Sequence, residues 1–68
     1  MEYQLIKAIR KQAEADLEEA LLTLQLLTEN PAGIGEHSDI MEAIEGELAQ
    51  MAEYEDKLEM INKYFGDQ

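Results

Sequence analysis

The stretch NPAGIGEHSD, residues 30–39, holds the single proline and the single histidine of the chain and two of its four glycines. Asn30 precedes Pro31, and a residue in that position is biased away from the α conformation. Gly33 and Gly35 enter left-handed backbone conformations at little cost. Both flanks have the composition of long helices, so we expect the chain to reverse its direction within this stretch.

The segment before this stretch predicts one uninterrupted helix over about residues 2–29. It contains neither glycine nor proline and is rich in Ala, Leu, Glu, Gln and Lys, which are strong helix formers. Apolar residues recur three or four positions apart, so they share one face of the helix. This main stripe consists of Leu5, Ile6, Ile9, Ala13, Leu17, Ala20, Leu24 and Leu27.

The segment after the stretch predicts a second helix over about residues 39–65. Ser38 or Asp39 is expected to cap its N-terminus, and Asp39 with Glu42 has the spacing of a capping box. Gly46 lies inside this helix, where glycine costs about 1 kcal/mol relative to alanine; close packing compensates for it, or the cost is tolerated. The apolar face consists of Ile40, Ile44, Met51, Tyr54, Leu58, Ile61 and Phe65, with Met41 and Leu48 at its flank.

These helices and the tip between them, residues 30–38, predict an all-α fold, an antiparallel two-helix hairpin that forms a single domain. A chain of 68 residues has a marginal core unless disulfides, a structural metal or self-association support it. The chain has no cysteine and one histidine, which leaves self-association. We therefore expect the hairpins to assemble into a homo-oligomeric helical bundle.

A second, thinner apolar stripe runs along the first helix, nearly opposite the main one. A helix in a simple hairpin needs one apolar face, and this helix has two. Isolated exposed apolar residues are normal and are the alternative interpretation. We interpret the second stripe as the oligomer interface, formed by Ala8, Ala15, Leu22 and Leu26.

The distribution of charge separates the two ends of the predicted hairpin. The net charge is −11, residues 13–56 hold thirteen carboxylates and no lysine or arginine, and all five basic residues lie in residues 1–12 and 57–68. A reversal centred near Ile34 places residue 10 beside residue 58, so the basic residues gather at one end. The net charge argues against binding to a DNA or RNA backbone or to an anionic membrane surface.

Solvation alone explains a basic end, and an anion-binding site explains it equally well. In an antiparallel oligomer the tip of one copy meets the basic end of another. The N-terminus of the second helix then offers free amides and its dipole to phosphate, and basic side chains add charged hydrogen bonds. The candidate ligand-binding residues are Gly33, Ile34, Gly35, His37 and Ser38 at the tip and Lys7, Arg10 and Lys11 at the basic end.

The sequence predicts no enzyme, no metal and no cofactor. The GIGEHS string lacks the lysine of a Walker loop, and Ser38 beside His37 does not make a catalytic triad. Glu53 and Asp56 form the E-x-x-D pair of helical magnesium pyrophosphohydrolases, but Leu22 stands where that pattern needs a further acid beside Glu18 and Glu19. A magnesium enzyme is therefore the less favoured alternative.

The string N-P-x-G-I-G-E-H and the helix that follows resemble short helical-hairpin proteins of tailed bacteriophages, over roughly residues 27–65. This group is similar to the anti-CBASS sponge proteins, which bind cyclic oligonucleotide signals between several copies and withhold them from a host immune effector. The N-P-x-G-I-G-E-H string is the specific part, whereas the E-D-K-L-E helix is generic.

The resemblance implies a homo-oligomer, with a tetramer favoured, that binds a cyclic di- or trinucleotide without cleaving it. It also implies a location in the cytoplasm of the infected bacterial host. No apolar run approaches the roughly 18 residues of a membrane span, and we expect no membrane partner. Two alternatives remain open: a small acidic interaction module that docks on a host or phage protein, and a DNA mimic that presents carboxylates to a nucleic-acid-binding enzyme.

Overall fold

Two long α-helices make up the fold. The computed structural model describes residues 3–29 and 37–66. Within them the chain forms α1, Gln4–Glu29, and α2, His37–Phe65. This confirms the all-α class and the two packed helices. The predicted reversal itself, residues 30–36, lies outside the described residues.

The second helix begins two residues earlier than the sequence predicts. His37 is its first residue, so the prediction that Ser38 or Asp39 caps the helix is wrong. Asp39 instead occupies the first turn, where its carboxylate is favourably placed against the free amides and the positive end of the helix dipole. At the other end α2 stops at Phe65, and Gly66 forms the predicted glycine stop.

The helices pack side by side in antiparallel directions. The rings of Tyr3 and Phe65 meet edge to face, with centroids 5.3 Å apart, so the start of α1 lies beside the end of α2. The longest dimension of the molecule is 49 Å, whereas the same residues in one straight helix would span about 80 Å. A contact between residues 3 and 65 also confirms the register of a reversal centred near residue 34.

The contact between the helices follows a regular heptad pattern. Most of the less exposed residues of both helices alternate in spacings of three and four, and Asp16, Thr23 and Ala43 flank them. Alternating spacings of three and four are the pattern of a left-handed coiled coil. We call these positions the seam. The seam of α1 consists of residues 3, 6, 10, 13, 17, 20, 24 and 27, and that of α2 of residues 40, 44, 47, 51, 54, 58, 61 and 65.

The seam corrects the predicted apolar stripe of the first helix. Leu5 is 78% exposed and Ile9 is also exposed, whereas Tyr3 and Arg10 occupy the seam on that stretch of α1. A heptad contact selects alternating spacings of three and four, and Leu5 falls between two selected positions. The seven central positions of the predicted face of α2 are confirmed, and the seam adds Glu47 to them. The two residues predicted at its flank, Met41 and Leu48, are each 49% exposed.

The hairpin buries very little. Ala13, Ala20 and Ile61 are its buried hydrophobic residues, and no large side chain is fully buried in the described part. Small residues at the seam let two helices approach closely, but they contribute little apolar area. The accessible surface is 5262 Å², against roughly 4,300 Å² for a globular monomer of this mass. Neither described helix is long and apolar enough to span a membrane.

Alanine substitutions at Gly46, within α2, and at Gly66, just after α2, are expected to have opposite effects on stability. A Cβ at Gly46 would meet nothing within 4 Å, whereas a Cβ at Gly66 would overlap the carbonyl oxygen of Asn62. Gly46→Ala is expected to raise the free energy of unfolding by about 1 kcal/mol, because alanine restricts the unfolded chain and favours helix. Gly66→Ala is expected to lower it.

Urea unfolding followed by circular dichroism, at one fixed protein concentration, measures both changes. A Gly46→Ala variant that is less stable than the parent would contradict the expectation and would show that something outside the hairpin packs against this position.

Candidate functional site

The candidate site is the end of the hairpin where the chain begins and ends. We call residues 3–12 and 57–66 the open end. Here the guanidinium Nη2 of Arg10 donates a hydrogen bond to the carbonyl oxygen of Phe65 over 3.4 Å, and the ring of Phe65 contacts the ring of Tyr3. The last carbonyls of a helix lack partners within the helix. A cation is favourable there because it faces the negative end of the dipole.

The open end gathers the basic residues, as the register predicts. Lys7, Arg10 and Lys11 come from α1, and Lys57 and Lys63 come from α2. The described shaft beyond this end, residues 13–29 and 37–56, carries carboxylates and no lysine or arginine. The hairpin is therefore electrostatically polar along its length.

Arg10 is less free than its predicted ligand role requires. Its side chain is half-buried at a seam position, and its buried Nε has no hydrogen-bond partner in the described structure. A buried N–H without a partner is unfavourable by about 1–3 kcal/mol. Arg10 is thus part of the contact between α1 and α2, and the outer face of its guanidinium is what remains for a ligand.

Lys7 and Lys11 are better placed to move toward a ligand. Both side chains are exposed, and they lie one turn apart on α1 because four residues separate them. Both backbones are fixed by the helix, where the amide of Lys7 donates to the carbonyl oxygen of Tyr3 over 2.9 Å. A flexible lysine on a rigid helix is suited to neutralise phosphate charge as a mobile point charge.

The sequence analysis missed the exposed aromatic ring at this end. The side chain of Tyr64 is 65% exposed, and the ammonium of Lys63 lies 5.4 Å from the centroid of its ring. Leu5, Ile9 and Met60 are exposed at the same end. The signal was the heptad register, since Phe65 occupies the seam and its neighbour Tyr64 then falls outside it. Exposed aromatic rings beside cations are what stacked nucleobases contact in nucleic-acid-binding proteins.

The described residues of the predicted tip, His37 and Ser38, lie far from these cations in the same chain. His37 and Ser38 are the first two residues of α2. Their side chains, for which ligand contacts were predicted, lie outside the described structure. Gly33, Ile34 and Gly35 also lie outside it. From Arg10 to the end of α1 the helix rises about 28 Å, so one chain does not bring its basic end and its tip together.

The second apolar stripe is exposed along its whole length. Ala8 and Ala15 are exposed, and Leu22 and Leu26 are 56% and 67% exposed. The hairpin itself therefore leaves this surface free. Three more exposed apolar side chains lie at the same level, and they are Leu21, Met41 and Leu48.

An acidic cluster surrounds Tyr54 in the middle of the seam. The pKa of its hydroxyl is raised above the ordinary value of 10.0, first by partial burial and then by the carboxylates of Asp16, Glu53, Glu19 and Glu47. Among residues 3–29 and 37–66, no three acid or histidine side chains are grouped as a metal site requires.

Comparisons with protein-family models, with curated proteins and with solved structures find no significant match.

Two substitutions separate the roles of the Arg10 charge and its aliphatic stem. Arg10→Leu removes one long hydrogen bond together with the unpartnered N–H, so the free energy of unfolding should change by less than about 1 kcal/mol. Arg10→Ala also removes packing at the seam and should lower stability by about 1–2 kcal/mol. Thermal unfolding of both variants checks this. Equal losses would show that the hydrogen bond to Phe65 matters more than the stem.

The environment of Tyr54 predicts a loss of stability in alkali. Because the folded pKa is raised above 10.0, the unfolded chain loses this proton first. The protonated hydroxyl of Tyr54 therefore contributes fully to stability below pH about 10. This contribution falls as the pH rises through the pKa of Tyr54 in the unfolded chain and then through its pKa in the folded protein. Absorbance of tyrosinate measures the titration, with Tyr54→Phe as the control. A Tyr54 that ionises below 10 would contradict the geometry.

Proposed function

We propose that this protein binds a cyclic di- or trinucleotide between copies of its chain and sequesters it without cleaving it. The observation that carries the proposal is the collection of all five basic residues at the open end of an otherwise acidic hairpin. The resemblance of the N-P-x-G-I-G-E-H string to the anti-CBASS sponges supports this ligand class. Such a protein would act in the cytoplasm of an infected bacterium, where it would withhold the signal from an immune effector.

The charge distribution favours a small anion over a long one. Lys7, Lys11 and the outer face of Arg10 offer few positive charges, which suits a ligand with two or three phosphates. A DNA or RNA strand that extended along the hairpin would meet the carboxylates of the shaft within a Debye length of about 8–10 Å. The exposed ring of Tyr64 offers a face on which a base can stack.

A complete site requires more than one copy. The first turn of α2, with His37 and Ser38, supplies free amides and the positive end of a helix dipole. It lies at the opposite end of the hairpin from the basic residues of the same chain. The proposed site therefore combines the tip residues of one copy, Gly33, Ile34, Gly35, His37 and Ser38, with Lys7, Arg10 and Lys11 of another.

Burial between copies suits sequestration. A ligand held between two chains is released only when they separate or deform, and slow release is what tight binding mainly requires. The low burial within one hairpin supports association, because the apolar stripe Ala8, Ala15, Leu22 and Leu26 is left exposed. We propose a homo-oligomer, with a tetramer favoured.

A thermal-shift panel of cyclic di- and trinucleotides tests the ligand class. A ligand that binds only the folded protein at 100 times its Kd stabilises it by about 2.7 kcal/mol, which raises the Tm of so small a domain by roughly 10 °C or more. Chromatography of the nucleotide after incubation should recover it intact. Turnover would instead favour the pyrophosphohydrolase alternative, especially if Glu53→Ala abolished it.

Substitutions at the open end test the site. Removing Lys7 and Lys11 together by alanine should weaken nucleotide binding by at least tenfold, because each charged hydrogen bond contributes about 1.5–3 kcal/mol. Arg10→Leu should weaken it as well while the hairpin stays folded. Lys57→Ala is the matched control and should bind nearly as tightly as the parent. If the parent binds no cyclic nucleotide, the interaction-module alternative replaces this proposal.

A further inference from the structure

We propose that the open end of one copy docks on the opposite half of a second copy, and that charge selects this pairing. The proposal concerns how the oligomer of the proposed function is built, and it rests on that oligomer. We call residues 18–29 and 37–48 the tip half. The partner is a second copy of this chain, placed so that unlike ends meet.

The large exposed apolar side chains of the described structure are confined to these two regions. All nine large apolar side chains exposed in the described structure lie at the open end or in the tip half. The open end has Leu5, Ile9, Met60 and Tyr64, and the tip half has Leu21, Leu22, Leu26, Met41 and Leu48. Because residue 3 lies beside residue 65, both helices contribute to each region at the same level.

The two apolar regions carry opposite charges. The open end is surrounded by Lys7, Lys11, Lys57 and Lys63. The tip half holds no lysine or arginine in its described residues, and Glu18, Glu29, Glu42 and Glu45 are exposed there. Pairing like ends would place charges of one sign together as water is excluded, whereas pairing unlike ends places cations next to carboxylates.

The exposed area is large enough for such a contact. The hairpin exposes 5262 Å², roughly 900 Å² more than expected for a globular chain of this mass. A stable protein interface removes about 800 Å² from each partner. One standard interface would therefore bring the surface of each copy to the value of an ordinary small protein.

Two charge-reversed variants test the pairing directly. Lys57→Glu with Lys63→Glu takes the net charge of the described open end from +4 to zero, and neither lysine belongs to the proposed nucleotide site. Glu18→Lys with Glu45→Lys takes the net charge of the described tip half from −7 to −3, next to Leu22 and between Met41 and Leu48. Each variant alone therefore has a weaker attraction between unlike ends, whereas a mixture can pair the unchanged open end of the second variant with the unchanged tip half of the first.

Sedimentation at micromolar concentration, without nucleotide, gives the result. The parent is expected to sediment at twice 7.7 kDa or more. Each variant alone should need at least a tenfold higher protein concentration to assemble, and an equal mixture should assemble at a lower concentration than either variant alone because it restores one parental contact. Glu14→Lys with Glu53→Lys, a double reversal on the middle of the shaft, is the matched control and should assemble like the parent. Raised salt should weaken the parent and the mixture alike.

Three outcomes would overturn the docking mode: a monomeric parent, single variants that assemble as well as the parent, or a mixture of helical variants that fails to assemble. The nucleotide experiment is separate. A mixture that assembles while no cyclic nucleotide binds leaves the docking mode standing and rejects the proposed function. If the charge reversals leave assembly unchanged while the oligomer still binds nucleotide, only the docking mode is rejected.

Discussion

Two helices in contact can cover only one face of each other, and this geometric constraint governs the molecule. The seam of this hairpin buries Ala13, Ala20 and Ile61, which together remove little apolar surface from water. The remaining seam residues are only half-buried because their outer sides have no third helix to pack against. The large apolar residues outside the seam, such as Leu22 and Leu26, are therefore exposed.

The antiparallel packing of the helices gives the hairpin a basic end and an acidic remainder. Lysines and arginine near both ends of the chain are distant in sequence, yet the Tyr3–Phe65 contact brings those ends together. The carboxylates between them then line the remaining length. The antiparallel packing thus creates a basic end and an acidic shaft, and the proposed preference for a small anion over a long one rests on this distribution.

Arg10 links the fold to the candidate site. It occupies a seam position that a heptad pattern would normally give to an apolar residue, and it donates to the last carbonyl of α2. Its Nε is buried in the same contact, so Arg10 belongs both to the packing of the helices and to the open end, where Lys7 and Lys11 are exposed.

The sequence by itself determined the helices, the reversal between them and the gathering of the basic residues at one end. Helix formers fill both flanks, Pro31 and two glycines interrupt them, and an antiparallel register follows from the position of that interruption. The apolar face of α2 was also readable, because every one of its residues fits a single heptad frame.

Only the tertiary structure decided which residues face the partner helix at the open end. Leu5 and Ile9 are as apolar as Ile6, but the heptad frame of the contact passes through Tyr3 and Arg10 and leaves them exposed. It likewise set the start of α2 at His37 and placed Tyr64 outside the seam beside Lys63. Hydrophobicity predicts that burial of a side chain is favourable, whereas the register in which the two helices pack decides which side chains are buried.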